Sequence, residues 1–245
     1  MSRISEIEGL ARLDVDRASR AGVPEAVLAE GKSLEVVVRC AEALARANGR
    51  VLVTRLQAGQ GDELAVALRA AEAPLETELF GGGRTAVVRQ PGSEAPAVVA
   101  TIGVLAAGTS DVPLAEEARV TAREMGVDAL TFYDVGVAGI HRLQQPLERI
   151  LAADLPVLVV AAGMEGALAT VVKGLVPVPV IGVPSAVGYG YGRGGEAALM
   201  AMLQSCSPGV LVVNIDNGFG AGAAAAMIAR RARASQSASH GGESA

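Results

Sequence analysis

Three residue types able to act as nucleophile, base or acid stand out in the C-terminal half of the chain. His141 is the one histidine outside the last residues, and it stands beside Arg142 in a glycine-flanked turn. Glu165 follows an apolar run within Gly-Met-Glu-Gly, and Cys206 precedes the last apolar run. A thiolate is a good nucleophile, and imidazole and carboxylate can transfer protons. The alternatives are a packed thiol and a helix cap, which are the ordinary roles of such residues.

Hydroxyl, carboxylate and glycine residues follow two other apolar runs. Thr109, Ser110 and Asp111 precede Pro113, which is the pattern of a helix N-terminus with its cap. Such a segment can hold a phosphate through its backbone N–H groups, or it can be a cap alone. Ser185 opens a glycine loop whose backbone can approach a ligand closely, and this loop contains Gly188 and Gly190.

Two further patterns concern dinucleotides and metals. The glycine loop satisfies GxGxxG at Gly190, Gly192 and Gly195. We interpret that match as fortuitous, because the fingerprint belongs to the tight turn after the first strand of a nucleotide fold. Asn214 and Asp216, which precede another group of glycines, can serve a metal, a phosphate or simply a tight turn.

The apolar runs that precede these residues predict the strands of a parallel sheet. They alternate with segments of helical composition and occupy residues 98–105, 129–133, 156–160, 178–183 and 210–213. Near-continuous Val, Ile and Leu favour strands buried on both faces, which predicts a doubly wound, three-layer α/β sandwich. Ligands of such sheets bind beyond the carboxyl ends of the strands, where the candidate residues mostly lie.

The N-terminal part has a different texture and predicts a small mixed α/β domain. Helices are predicted over residues 25–47 and 63–71, and strands over 51–56 and 85–89. A Pro/Gly/Ser/Glu stretch follows, so the predicted domains are residues 1–92 and 93–233. An Ala-rich helix is expected over 221–231, and the Ser/Gly-rich residues 234–245 are predicted to form a flexible tail.

Composition excludes several classes of protein. Hydrophobic residues make up 51% and charged residues 19% of the chain, which is unlike a disordered polyelectrolyte. Two uncharged runs, 174–192 and 197–215, are interrupted by prolines and a polar turn, so no membrane span is expected. A charged N-terminus favours the cytoplasm. Two distant cysteines indicate neither a disulfide framework nor a zinc site, and a net charge of -5 with few aromatics argues against nucleic-acid binding.

The motifs together resemble one family. The strings GTSD, YDVGVAGIHRL, VAAGMEGAL, PSAVGYG, MLQSC and NIDNGFGAG occur in this order, and the leading stretch 13–33 resembles the same family's N-terminal signature. They are similar to the LarB family of nickel-pincer cofactor biosynthesis, and the similarity extends from about residue 13 to residue 230. The second domain is also similar, more distantly, to the PurE-like carboxylases and mutases that act on aminoimidazole ribonucleotide.

The LarB resemblance implies an enzyme acting on nicotinic acid adenine dinucleotide. CO2 is the co-substrate, C5 of the pyridinium ring is carboxylated and the phosphoanhydride is hydrolysed, which gives pyridinium-3,5-biscarboxylic acid mononucleotide and AMP. Cys206 is the expected nucleophile at C4, since a soft thiolate adds to an electrophilic ring and leaves again. Glu165 is the expected base at C5, and His141 is an expected proton shuttle by analogy with the purine enzymes.

The resemblance also implies how the nucleotide is held. The substrate-binding or phosphate-binding residues expected on this basis are Thr109, Ser110, Asp111, Arg142, Ser185, Gly188, Gly190, Lys32 and Arg20. A divalent cation such as Mg2+ is expected near Asp216 and Asn214, with no organic cofactor. A homo-octamer is implied, and later enzymes of nickel-pincer cofactor synthesis are implied pathway partners.

Two alternatives belong to other functional classes. A purine-type aminoimidazole ribonucleotide carboxylase or mutase needs the histidine but no covalent cysteine. A noncatalytic nucleotide-binding module would use the same glycine loops and release its dinucleotide unchanged. The cysteine, the glutamate and the N-terminal signature together favour the LarB-type enzyme.

Overall fold

The computed structural model describes residues 4–7 and 9–241, with side chains through Ser235. The chain divides into two compact units, Met1–Ala95 and Pro96–Ala245. No helix in the part of the chain that the structure describes has both the length and the apolar character needed to cross a membrane.

The first unit is a small mixed α/β domain. Strands β1 (Ile4–Ile7) and β2 (Ala11–Asp14) pair antiparallel, and a second sheet has the order β3-β4-β6-β5. The strands of that sheet are β3 (Ala26–Leu28), β4 (Arg50–Thr54), β5 (Glu76–Phe80) and β6 (Thr85–Arg89). The helices are α1 (Arg17–Ala21), α2 (Leu34–Asn48) and α3 (Gln60–Arg69).

Helix α2 shows why these residues form a packed helix. Its N-cap Ser33 accepts a hydrogen bond from the N–H of Val36, and it ends at Gly49, which has a φ of 82°. Its buried side chains recur at helical spacing and enter the core of the unit; they are Val37, Cys40, Ala41, Leu44 and Ala45.

The second unit contains an all-parallel, five-stranded sheet of order β11-β10-β9-β7-β8. Its strands are β7 (Ala100–Ala106), β8 (Val127–Phe132), β9 (Leu158–Ala162), β10 (Val180–Pro184) and β11 (Val210–Val212). Its helices are α4 (Val112–Arg123), α5 (Gln144–Ala152), α6 (Ala167–Lys173), α7 (Glu196–Leu203) and α8 (Gly218–Gly241). Helices cover both faces of the sheet, so the predicted three-layer α/β sandwich is confirmed.

The two faces of this sheet are packed differently. On one face α4 crosses α8 with their backbones almost in contact, since a β-carbon on Gly222 would lie 2.2 Å from the carbonyl oxygen of Ala118. Gly218, one turn earlier, approaches Leu114 in the same way. Helices α6 and α7 cover the other face, where larger apolar side chains form the core; these include Leu105, Leu158, Leu168, Val172 and Met202.

The sequence-based elements differ from the observed ones mainly in the first unit. The prediction of a continuous helix over 25–47 is wrong at its start, because Ala26–Leu28 pairs in parallel with β4 and Gly31 adopts a φ of 75° before α2 begins. Strands β1, β2 and β5 were not predicted. Helix α8 continues through residues 234–241 of the predicted tail, and residues 242–245 lie outside the described residues.

Candidate active site

Most of the predicted site residues follow the five parallel strands at one edge of the sheet. Those that lie in the loops at the carboxyl ends are Thr109, Ser110 and Asp111 after β7, His141 and Arg142 after β8, Glu165 after β9, Ser185, Gly188 and Gly190 after β10, and Asn214 and Asp216 after β11. The structure therefore brings these loops to one edge, where open parallel sheets bind ligands. Within this unit the exception is Cys206, which precedes β11, and the predicted residues Arg20 and Lys32 belong to the first unit.

Asp111 is the buried carboxylate of this edge, with only 4% of its surface exposed. Its Oδ2 accepts a hydrogen bond from the N–H of Gly108 at 3.0 Å. Burial raises the pKa of Asp111, while the Gly108 N–H, the Ser185 hydroxyl and the Gly163 N–H favour its ionised form. Its Oδ1 forms no close, well-directed hydrogen bond with any described residue. The carboxylate of Asp111 therefore connects the loop after β7 with residues of the loops after β9 and β10.

The loops after β9 and β10 fit together through glycines. A β-carbon on Gly163 would lie 2.4 Å from the carbonyl oxygen of Val187, and one on Gly192 would lie 3.2 Å from Cα of Met164. Met164 itself has a φ of 53°, which is uncommon for a residue with a branched or long side chain. The approach at Gly163 leaves no room for a β-carbon and that at Gly192 leaves little, so the two loops pack closely beside Glu165.

Asp216 fixes the same surface from the side of β11. Its Oδ1 accepts a hydrogen bond from the N–H of Ala186 at 2.9 Å, and its own N–H donates to the carbonyl of Pro184 at 2.9 Å. Ser185, between these two residues, is buried and its Oγ accepts a bond from the N–H of Val187. The loop after β10 is therefore held in place from both its strand and its neighbour.

The side chains of the predicted metal-binding pair, Asn214 and Asp216, accept hydrogen bonds from the backbone. Oδ1 of Asn214 accepts a hydrogen bond from the N–H of Ile215, and Oδ1 of Asp216 holds Ala186, so both oxygens already serve the backbone. Within residues 4–7 and 9–241 no three His, Cys, Asp or Glu side chains are arranged to hold a metal ion. The expected divalent cation near Asn214 and Asp216 stays a prediction.

His141 and Arg142 lie at the end of the turn that follows β8, and both are exposed. Arg142 pairs with Asp134, with 2.9 Å between Nη1 and Oδ1. Its guanidinium lies over Gly139, where a β-carbon would be 2.7 Å from Nε. The glycine thus allows the arginine to fold back along its own turn, which leaves His141 at the surface of the same loop.

Glu165 and Cys206 are both exposed, but one chain does not bring them together. Glu165 lies two residues before the first residue of α6, at the carboxyl edge. The neighbours of Cys206 contact the middle of that helix, since the Thr170 hydroxyl donates to Ser205 Oγ at 2.8 Å and Ser207 Oγ donates to the Thr170 carbonyl. Thr170 is more than one helical turn from Glu165, so Cys206 lies toward the amino ends of the strands.

Tyr133, which directly follows β8, belongs to a polar cluster beside the site. Its hydroxyl donates a short hydrogen bond to Glu116, which is also paired with Arg119 through two bonds of 2.6 and 2.8 Å. Burial raises the pKa of Tyr133, and the Glu116 carboxylate raises it further. Burial also opposes ionisation of Glu116, but Arg119 and Tyr133 outweigh it and lower the pKa of Glu116.

Sequence reasoning missed two aromatic residues at the carboxyl edge. Tyr189 is 75% exposed and Tyr191 is fully exposed, and both belong to the loop after β10. Their alternation with glycines, in Gly-Tyr-Gly-Tyr-Gly, was the available signal, because glycine offers no side chain to cover a neighbouring ring.

The two predicted binding residues of the first unit have partners within that unit. Arg20 forms a two-pronged ion pair with Asp14, and this hydrogen bonding lowers the pKa of Asp14. The Lys32 Nζ donates to the carbonyl of Leu28 at 2.6 Å. Their contact with substrate stays a prediction.

The all-parallel sheet with helices on both faces defines a doubly wound α/β protein. Its buried carboxylate and hydroxyl and its close-packed glycines lie at the carboxyl edge, where proteins of this class bind ligands. Residues 101–239 match the family model described as AIR carboxylase, and residues 5–77 match that of the LarB/PurE-like N-terminal domain. The chain therefore belongs to the AIR carboxylase family, a family of carboxylases and mutases, and it carries a LarB/PurE-like N-terminal domain.

One relative supports the same extent of similarity. The chain is 42% identical over 226 residues to the uncharacterized protein MJ0165 of Methanocaldococcus jannaschii, which covers 92% of this chain and 86% of that protein. The similarity thus includes both compact units.

Proposed function

We propose that this protein carboxylates C5 of the pyridinium ring of nicotinic acid adenine dinucleotide and hydrolyses its phosphoanhydride. The products are pyridinium-3,5-biscarboxylic acid mononucleotide and AMP. This reaction is the proposed first step of nickel-pincer cofactor synthesis, and we propose that it takes place in the cytoplasm. The observation that carries this proposal is the exposure of Cys206, whereas Cys40 is buried. An exposed thiol suits covalent addition to a pyridinium ring, and the LarB/PurE-like N-terminal domain supports the same assignment.

The proposed reaction gives each exposed group one task. The Cys206 thiolate adds to C4 of the ring and forms a C–S bond, which makes C5 an enamine carbon. C5 then attacks CO2 and forms the new C–C bond. Glu165 removes the proton from C5, the C4–S bond breaks, and the electron pair returns with sulfur as the ring becomes aromatic again. Water cleaves the phosphoanhydride in a separate step.

The separation of Cys206 from Glu165 gives this proposal a structural requirement. Within one chain, Glu165 lies at the carboxyl edge and Cys206 lies toward the amino ends of the strands. We therefore assign the Cys206 that reacts above a given Glu165 to a second copy of the chain. The homo-octamer proposed for this protein provides such neighbours, and a monomer would lack the complete site.

The loops at the carboxyl edge are proposed to bind the nucleotide. Thr109 and Ser110 are exposed beside the buried Asp111, and Ser185 with the glycine loop that contains Gly188 and Gly190 faces the same edge. Backbone N–H groups and small hydroxyls in this arrangement suit phosphate oxygens. Arg142 offers a cation for the diphosphate or the ring carboxylate. A cation such as Mg2+ would accompany the diphosphate, and no step is assigned to it.

A purine-type carboxylase or mutase is the second candidate. The AIR carboxylase match over residues 101–239 favours it, as does the exposed His141, which is the proton-transfer residue that such chemistry requires. That reaction gives Cys206 no role. Replacing the thiol therefore separates the two functions.

The test incubates the purified, assembled protein with nicotinic acid adenine dinucleotide, Mg2+ and isotopically labelled bicarbonate, and then analyses the products by mass spectrometry. A dicarboxylated mononucleotide with one label, together with AMP, is the expected result. Cys206→Ser should abolish it, while Gln204→Ala, which alters an exposed neighbour, should not. Unchanged dinucleotide with turnover of aminoimidazole ribonucleotide would replace this proposal by the purine-type function.

A further inference from the structure

The two most exposed large apolar side chains of the described residues lie on one loop at the carboxyl edge. Tyr191 has 101% and Tyr189 75% relative exposure. The chain contains only three tyrosines, three phenylalanines and no tryptophan, so this loop holds two of its six aromatic side chains. Exposed rings gain little stability for the fold, which points to a role in binding.

The backbone that presents these rings is fixed. The N–H of Gly192 donates to the carbonyl of Tyr189 at 3.0 Å and closes a turn in which Gly190 has a φ of 58°. A β-carbon on Gly188 would lie 2.6 Å from the carbonyl oxygen of Gly192, so the loop is closed on itself. Because the backbone that carries the rings is already ordered, little backbone entropy is lost when a ligand binds to them.

The tyrosine loop lies beside the proposed base. Gly192, which follows Tyr191, packs on the backbone of Met164, which precedes Glu165. Tyr191 and Glu165 are therefore each one residue away from the same backbone contact. If a planar substrate ring binds with one of its C–H bonds close to Glu165, the ring is also close enough to contact the tyrosine loop.

We propose that Tyr189 and Tyr191 form the platform on which the pyridinium ring stacks, an inference that rests on the proposed function. The face of a phenol ring is electron-rich and attracts a cation, and a pyridinium ring carries its positive charge within a flat surface. Adenine is uncharged and gains only stacking. A ring held on one face by tyrosine keeps its opposite face open to a thiolate.

The test measures the affinity of the assembled protein for two probes without CO2. Nicotinic acid mononucleotide contains the pyridinium ring and no adenine, and AMP contains adenine and no pyridinium ring. Tyr191→Ala and Tyr189→Ala should together weaken binding of the mononucleotide about tenfold. AMP affinity should stay unchanged, and the double replacement by Phe should stay within about twofold of wild type, because the ring is retained.

Two further measurements complete the test. Met200→Ala, which removes another exposed apolar side chain, should leave both affinities unchanged. Tyr191→Trp introduces the only tryptophan, and stacking on pyridinium should produce a new long-wavelength charge-transfer absorbance when the mononucleotide is added. Loss of AMP affinity instead, or an altered assembly mass with unchanged mononucleotide affinity, would overturn the platform. Labelled-product formation by the wild type tests the proposed function separately.

Discussion

The two edges of the parallel sheet in the second unit are built differently. At the carboxyl edge a carboxylate is buried at Asp111, loops are joined by glycine contacts and tyrosine rings face solvent. At the amino edge the turns have routine partners, such as the Lys173 ammonium on the carbonyl of Val176. A cavity of about 630 Å³ there is lined mainly by small aliphatic side chains. Unusual features thus collect at the edge where the function is proposed.

Backbone conformation shows the same contrast. Of the described non-glycine residues in this unit with a positive φ, Asp134, Met164 and Asp216 follow strands at the carboxyl edge, and Asp154 is at the amino edge. Asp tolerates this conformation better than Met does. The φ of 53° at Met164 is therefore the clearest local cost, and it lies beside Glu165. Such costs concentrate at functional sites because the surrounding packing sustains them.

The largest expected effect is the loss of catalysis when either of two residues at opposite edges of the sheet is replaced. Cys206→Ala and Glu165→Gln should each reduce product formation at least about 10³-fold, since each removes a group that reacts directly. Both side chains are exposed, so the melting temperature should change little. Labelled-product formation and thermal unfolding measure the two quantities.

Mixing the two inactive variants tests whether two copies build one site. After subunit exchange, a mixed assembly should regain part of the activity, because some sites combine an intact Cys206 with an intact Glu165. Activity that stays absent in assemblies shown to be mixed would contradict the two-copy site.

Replacing a glycine by alanine should destabilise the protein far more at the carboxyl edge than at the end of α6. Gly163→Ala places a β-carbon against the carbonyl of Val187, and overpacking of this kind typically costs about 1–3 kcal/mol. We also expect product formation to fall at least about tenfold, because the loop beside Glu165 must move. Gly174→Ala is the matched control: its φ is -67° and its nearest contact would be 3.4 Å. Equal loss in both variants would contradict the comparison.

Asp111→Asn should lower activity and raise the free energy of unfolding relative to wild type as pH approaches neutrality. Burial raises the folded-state pKa of Asp111, so its contribution to stability is complete below the unfolded pKa and is lost as pH rises through the folded pKa. An asparagine side chain does not titrate, so its contribution to stability does not fall as pH rises. The stability of the variant relative to wild type should therefore increase as pH is raised from below 3.8, the ordinary pKa of an aspartate, toward neutrality, while product formation falls about tenfold or more.

Thermal unfolding across that pH range, together with the labelled-bicarbonate assay, measures both effects of Asp111→Asn. A stability difference that stays constant with pH would mean that Asp111 does not titrate in this window. Full activity in the variant would remove Asp111 from the proposed binding site.

The sequence predicted the parallel sheet well because its central strands β7, β9 and β10 are largely buried on both faces and consist mostly of Val, Ile, Leu and Ala. It did not predict β5, in which two Glu alternate with Thr77 and Leu79 over a short stretch, or the strand Ala26–Leu28, which needs β4 as a partner. Candidate residues could be placed after strand ends in the same way. The separation of Glu165 from Cys206 depends on how α6 and the segment before β11 pack, so no local pattern contains it.

The smallest expected effect concerns the Tyr133–Glu116–Arg119 cluster. Tyr133→Phe removes the hydrogen bond to Glu116 and should cost about 1 kcal/mol at neutral pH, with product formation nearly unchanged. The lowered pKa of Glu116 means that its stabilising contribution is lost as pH falls below its ordinary value of 4.5. The raised pKa of Tyr133 means that its contribution is complete below pH 10.0 and is lost as pH rises through the folded value.

The stability difference between wild type and Tyr133→Phe, measured by denaturant unfolding, should therefore be largest between about pH 5 and pH 10. A difference of equal size at pH 3 and pH 7 would show that the phenol packs against α4 without depending on the carboxylate.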